Sequence, residues 1–117
     1  MRNVIFETEV KNQLLDLKNY LIESQGDTKG LKTFKEIMSS IDNLGIFDSI
    51  GSNLKEKYDI DCPDNWYVLF VKMNYFIFSK TDSEIVVLKM YNNKQDFLFH
   101  IFGIEMRSQE SIDYWGE

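Results

Sequence analysis

The stretch that most constrains this chain runs from Trp66 to Phe102, WYVLFVKMNYFIFSKTDSEIVVLKMYNNKQDFLFHIF. Trp66 to Val71 is apolar on both alternating faces, as expected of an interior strand shielded on both sides. Lys72, Met73 and Asn74 make a turn, and Tyr75 to Ser79 forms the returning strand. Thr81 to Ser83 is a second turn before Glu84 to Tyr91, the last strand of a β-meander. Asn92 and Asn93 break that strand, and Gln95 to Phe102 alternates poorly and suits a short helix. A sheet this apolar on both faces needs the rest of the chain to cover it.

The preceding residues supply that cover. NVIFE at 3 to 7 is a short strand, followed by Thr8 as a candidate helix N-cap. From Glu9 to about Ser24, Val10, Leu14, Leu17, Leu21 and Ile22 recur at spacings of three and four, and Gly26 ends the helix. Asp27 or Thr28 caps a second helix carrying Leu31, Phe34, Ile37, Met38, Ile41 and Leu44, with Gly45 at the position of a left-handed C-terminal cap. The link between the helices is only a few residues, which favours an antiparallel hairpin. Between Ile46 and Asn65 periodicity fades. That segment reads as a long surface loop with a helical turn near Leu54, pinned to the body by Ile46, Phe47, Ile50, Leu54 and Tyr58 or offering them as a docking edge. The fold class is therefore α+β: an N-terminal strand, a helix hairpin packed on an antiparallel meander sheet, and a short C-terminal helix.

With 117 residues, the chain is expected to be a single domain, 1–117, with residues 105–117 an acidic tail. Nine Phe among 15% aromatic residues point to a ring-rich core rather than to disorder. The first ten residues carry charges, and no run approaches the length that spans a bilayer, so a soluble cytoplasmic protein is expected, with no membrane partner. One cysteine, Cys62, excludes an internal disulfide and reads as an inert loop thiol beside Pro63.

A net charge of −6 argues against broad nucleic-acid binding, which needs clustered Lys and Arg, and no direct sequence-specific DNA binding is expected. From Trp66 to Lys94 four lysines, Lys72, Lys80, Lys89 and Lys94, stand against only Asp82 and Glu84, a local positive excess. A single histidine, His100, sits in the apolar run FLFHIF, where a hydrogen-bonded packing role is the simplest one. No second histidine or cysteine gives metal-ligand spacing, and no glycine-rich loop cradles a phosphate, so no metal and no cofactor are expected.

The element order, together with NYFIFSK at 74 to 80 and IVVLKMYNNKQDFLFHIF at 85 to 102, resembles the RelE/ParE family, the toxins of bacterial type II toxin-antitoxin (plasmid stabilisation) modules. The first segment is similar to the family's aromatic strand, often written NYYIFYR. The second is similar to its closing motif, in which basic residues and a histidine precede an Asp and an apolar end. The resemblance implies a cognate antitoxin as partner, growth inhibition as the outcome, and one of two activities. RelE-type members cleave mRNA in the ribosomal A site with Lys, Arg and Tyr or His on the concave sheet face, whereas ParE-type members bind DNA gyrase without catalysis of their own.

The departures from the family pattern favour the second. The arginine of the second meander strand falls on Phe76, the Arg/Lys pair falls on Lys94 and Gln95, and Asn92 stands where a histidine is common. The only arginines are Arg2 and Arg107, outside both motifs. Lysine is a point charge without the planar fork that grips a phosphate at two points. The expectation is a ParE-like toxin acting on a protein target, gyrase by that resemblance. The alternatives are a divergent mRNA endoribonuclease using Lys89, Tyr91, Lys94 and His100, and a degenerate, non-toxic binding module. Lys72, Lys80, Lys89 and Lys94 are the candidate target-binding residues. Lys89 otherwise reads as the solvent-facing member of its strand, Asp96 as a cap of the last helix, and Tyr75 and Tyr91 as core or rim aromatics.

Overall fold

A computed structural model of the chain describes residues 1–103; the tail from 105 to 117 lies outside the described residues. The chain forms β1 (Asn3–Phe6), α1 (Thr8–Gln25), α2 (Asp27–Asp42), a 3-10 turn (Asn43–Gly45), β2 (Ser52–Asn53), α3 (Leu54–Tyr58), β3 (Trp66–Val71), β4 (Asn74–Lys80), β5 (Glu84–Tyr91) and α4 (Lys94–Phe102). One five-stranded sheet has the order β1-β5-β4-β3-β2. The meander β3-β4-β5 is antiparallel, and β1 completes the sheet as a parallel partner of β5, with Val4 opposite Ile85 and Phe6 opposite Val87. A crossover through the helix hairpin is what makes that parallel pairing possible.

Strand alternation sorts the apolar residues onto two faces. Toward the α1–α2 hairpin the sheet presents Phe76, Phe78, Ile85, Val87 and Met90, which pack with Val10, Leu14, Leu17, Ile37 and Ile41. The opposite face presents Val68 and Ile77, which α3 and α4 cover with Leu54, Phe97 and Leu98. The sheet is thus the middle of three layers. This explains why β3 is apolar on both faces: Tyr67, Leu69 and Val71 face the hairpin, and Trp66 and Val68 face α3 and α4. Phe70 departs from this, being exposed.

The ends of the elements differ from several sequence expectations. Glu7, not Thr8, is the N-cap residue of α1, and its side chain makes no cap bond; Thr8 is already helical. Gly26 at φ 88° closes α1 and also starts α2, so Asp27 is the first helical residue rather than the cap. Gly45 does not adopt the left-handed conformation. It is buried where the chain crosses β1, and an added Cβ would collide with the Arg2 carbonyl oxygen. Close approach selects glycine there, while the helix itself ends at Asp42.

The segment from 46 to 65 is more ordered than a loop. Asn53 caps α3 by accepting a hydrogen bond from the Glu56 amide at 3.0 Å, and Leu54 is completely buried. Ile46 and Phe47 do not pin it; both are about half exposed, at 54% and 53%. The β3–β4 turn consists of two residues, Lys72 and Met73, both at positive φ (49° and 68°), with Asn74 already in β4 and buried. Two consecutive left-handed residues match the twist of the flanking strands in a two-residue hairpin, a conformation that Asn-Gly adopts at lower cost.

Candidate functional site

A bulge decides which way the last strand points its polar side chains. Pairing of β4 with β5 slips between Ile77 and Phe78: Ile77 faces Lys89 and Phe78 faces Val87, leaving Leu88 as the extra residue. Met90 and Val87 stay on the hairpin face, while Lys89 and Tyr91 turn toward α4. Without that slip, strict alternation from Val87 would have placed Lys89 on the hairpin face and Met90 away from it.

Helix α4 is set over this face by its own N-terminus. The Asn93 side chain accepts the Asp96 amide at 2.7 Å and donates to the Asp96 carboxylate at 2.9 Å. Asn93 is therefore the cap, and Asp96 its partner in the first turn rather than the cap residue itself. Phe97 turns inward onto Tyr75, with ring centroids 4.3 Å apart and planes 12° from parallel.

A cleft of about 780 Å³ opens between β5, the first turn of α1 and α4. Lys89, Tyr91 and His100 all line it, together with Glu9, Gln13 and Asp96. His100 is exposed rather than packed in an apolar core, and its ring stacks on Tyr91 at 5.0 Å. The His100 Nδ1 lies 2.8 Å from the Asp96 carbonyl oxygen. A carbonyl only accepts, so Nδ1 carries the proton in that bond, and in the neutral ring Nε2 is the acceptor turned away from it. Burial pushes the Tyr91 hydroxyl above the ordinary tyrosine range, and the Glu9 and Asp96 carboxylates add to the effect, so it stays a protonated donor at neutral pH.

The charge around this cleft is mixed. Lys89 Nζ lies 3.9 Å from the Glu9 carboxylate, and Glu7 and Asp96 also line the walls. Both partners of the Lys89–Glu9 pair are well exposed, so the pairing is weak in energy but lowers the net positive potential.

The four candidate lysines do not converge. Lys72 leaves the β3–β4 turn to pair with Glu36 of α2 at 3.0 Å, and that ammonium holds the Glu36 carboxyl below its ordinary range. Lys80 donates to the Asp48 carbonyl at 2.8 Å and lies over the Tyr67 ring, 4.3 Å from its centroid, on the hairpin side. Lys94 is in the first turn of α4 and lines a different cleft from Lys89. Of the endonuclease candidates, Lys89, Tyr91 and His100 share a cleft and Lys94 does not. Cys62 is half-buried, and burial pushes its thiol up, away from the reactive thiolate. Phe76, where the resemblance would put an arginine, is fully buried against the hairpin.

The arrangement as a whole, a helix hairpin on one face of a meander and a parallel first strand, has a solved counterpart. A chain of the "Chromosomal ParDE TA system from P. aeruginosa" superposes on it with a TM-score of 0.63, over 80% of this chain and 98% of that one. This chain has that fold. Sequence identity to the ParDE-system chain is 14%, so the likeness is one of architecture. No protein-family model matches the sequence, and no curated protein matches it. The α+β fold expected from the RelE/ParE resemblance is present, and among the described residues no helix is long and apolar enough to cross a membrane.

Glu9, Gln13 and Trp66 line the same cleft and were not among the sequence candidates. Glu9 is the first-turn acid of α1, and Gln13 one turn later donates to the Met90 carbonyl at 3.2 Å. Their spacing of four puts them on one side of the helix, but only the parallel placement of β1 beside β5 brings that side to Lys89.

Proposed function

We propose that this chain is the toxin component of a toxin-antitoxin module, of the ParE kind, which acts by binding a protein target and is neutralised by a small cognate antitoxin. The observation that carries the reading is the charge of the sheet face opposite the hairpin. In a nuclease of this fold that face would need convergent cations to hold a phosphate and offset its developing charge. Here α4 fills much of it with Phe97 and Leu98 and divides its lysines between two clefts, Lys89 among Glu7, Glu9 and Asp96 in one and Lys57 with Lys94 in the other, so they do not converge on one phosphate. The shared fold with the ParDE-system chain supports the module. The net charge of −6 favours a protein partner over rRNA, because electrostatic steering to an RNA surface would be repulsive overall. Gyrase is the target to test first. Production of the chain alone is expected to arrest growth, and the purified protein to inhibit gyrase supercoiling of plasmid DNA; normal growth with full supercoiling would refute the proposal.

A second reading, a divergent ribosome-dependent mRNA endonuclease, draws on the convergence of Lys89, Tyr91 and His100 in one cleft. In that reading His100 Nε2 would take the proton of the attacking 2'-hydroxyl, and Tyr91 would donate to the leaving oxygen. Primer extension on translated mRNA separates the two: cuts in register with the A site support the endonuclease, and their absence at growth-arresting levels removes it.

A further inference from the structure

One side chain inside the fold is left half-used. Asn74, the first residue of β4, is 4% exposed and is the one buried polar residue among the described ones. Its amide nitrogen donates to the Lys72 carbonyl at 2.8 Å and lies 3.5 Å from that of Val71. A carbonyl only accepts, so these contacts fix which way the amide points. Asn74 Oδ1 lies on the other side and accepts no hydrogen bond among the described residues. No unpaired side-chain polar atom among them is sealed from solvent. Oδ1 therefore reaches the surface, and the surface that Asn74 lines is a cleft.

This cleft, of about 640 Å³, opens between α1, α2 and the β3–β4 turn, apart from the one holding Lys89 and His100. Leu17, Leu21 and Ile37, all buried, form its apolar floor. Tyr20 and Met73, 64% and 73% exposed, form its rim. Asp16 also lines it, exposed and without an ion pair among the described residues. The lysine of the lining, Lys72, is already taken up by Glu36 at 3.0 Å. The turn that carries Met73 to the rim holds two residues bearing a Cβ at positive φ. Such strain, kept where glycine would relieve it, gathers in proteins at sites that grip a ligand.

We propose that this cleft binds a small organic cation, a protonated primary amine carried on an apolar, ring-sized body. The ammonium donates to Asn74 Oδ1 and to the Asp16 carboxylate, two acceptors that the chain itself leaves unused. The body rests on Leu17, Leu21 and Ile37, beneath the side chains of Tyr20 and Met73. A mostly apolar cleft with a few placed polar groups takes a ligand of matching make-up. A compound with the same body and no charge loses the attraction of Asp16, and an anionic one is repelled by it. The inference does not depend on the toxin reading and would stand if production of the chain left growth untouched.

The test is an NMR titration of the full, nitrogen-15-labelled chain at neutral pH with phenethylamine, beside phenethyl alcohol and hydrocinnamate. The amine is expected to give saturable shifts of the Asn74 side-chain amide and of the backbone amides of Lys72 and Met73. The alcohol is expected to move the same signals with about fivefold weaker affinity, the loss of one exposed charge interaction, and hydrocinnamate to leave them in place. Asp16 is exposed, so Asp16→Asn keeps the fold; it is expected to bring the amine down to the affinity of the alcohol and to leave the alcohol unchanged. Met73→Gly removes part of the rim and is expected to weaken amine and alcohol alike by about fivefold. The absence of saturable shifts at these signals in the millimolar range would overturn the proposal. So would equal affinity for the amine and the alcohol, or an amine affinity untouched by Asp16→Asn.

Discussion

At the scale of single residues, the chain places ordinary side chains in costly conformations and exposed charges in local pairs. Met73 holds a left-handed conformation that costs a residue bearing a Cβ on the order of 1 kcal/mol, and its side chain is 73% exposed, so packing does not offset that cost. Met73→Gly is expected to stabilise the protein by about 1 kcal/mol, read as a higher urea midpoint at unchanged slope. Glu36 illustrates the charge pairs. Its carboxyl is held below the ordinary range first by the hydrogen bond from Lys72 and then by the attraction of that ammonium. A carboxyl whose pKa is depressed on folding contributes stability that is present above its unfolded pKa of about 4.3 and is lost as pH falls through the folded value. Glu36→Gln is therefore expected to leave an acid limb that begins at lower pH and is shallower than that of the parent, in a series of denaturation midpoints from neutral to acid pH. An unchanged acid limb would show that the pair does not couple to folding.

At the scale of elements, α4 determines whether the second face of the sheet is a core or an open surface. Phe97 is almost fully buried against Tyr75, Tyr58 and Tyr91, so Phe97→Ala is expected to cost about 3–5 kcal/mol. Asn93→Ala removes both contacts to Asp96 and is expected to cost about 1 kcal/mol, localised to α4 and visible as faster amide exchange there than in α1. Much of the element order was legible in the sequence because the apolar period of α1 and α2 and the alternation of β3 to β5 are strong local signals. The ends were harder. Gly45 reads as a helix stop in sequence, yet its role is to let Arg2 pass, a contact between residues that only the fold brings together. The same holds for the cleft. His100 reads as a core residue because its neighbours Phe97, Leu98, Ile101 and Phe102 are apolar, but the rotation of α4 sends Phe97 and Leu98 inward and His100 outward. The bulge at Leu88, which aims Lys89 and Tyr91, left no mark that alternation alone reveals.

At the scale of the whole molecule, the sheet separates three surfaces. The hairpin side carries Leu15 and Tyr20 exposed on α1, at 58% and 64%. Phe70, exposed on β3, faces another direction, and the cleft of Lys89, Tyr91 and His100 a third. If the chain works by binding, the acid–base groups of that third surface are dispensable. Tyr91→Phe keeps the ring that packs against Phe97, and His100 is exposed on α4, so Tyr91→Phe with His100→Gln removes the proton-transfer groups at little structural cost. The deciding measurement is the growth rate of cells producing the parent chain or this double variant at matched levels without antitoxin. Growth arrest of equal depth in both is the predicted result. Normal growth with the parent would contradict the toxin reading, and arrest by the parent that the double variant relieves would show that the chain cuts rather than binds.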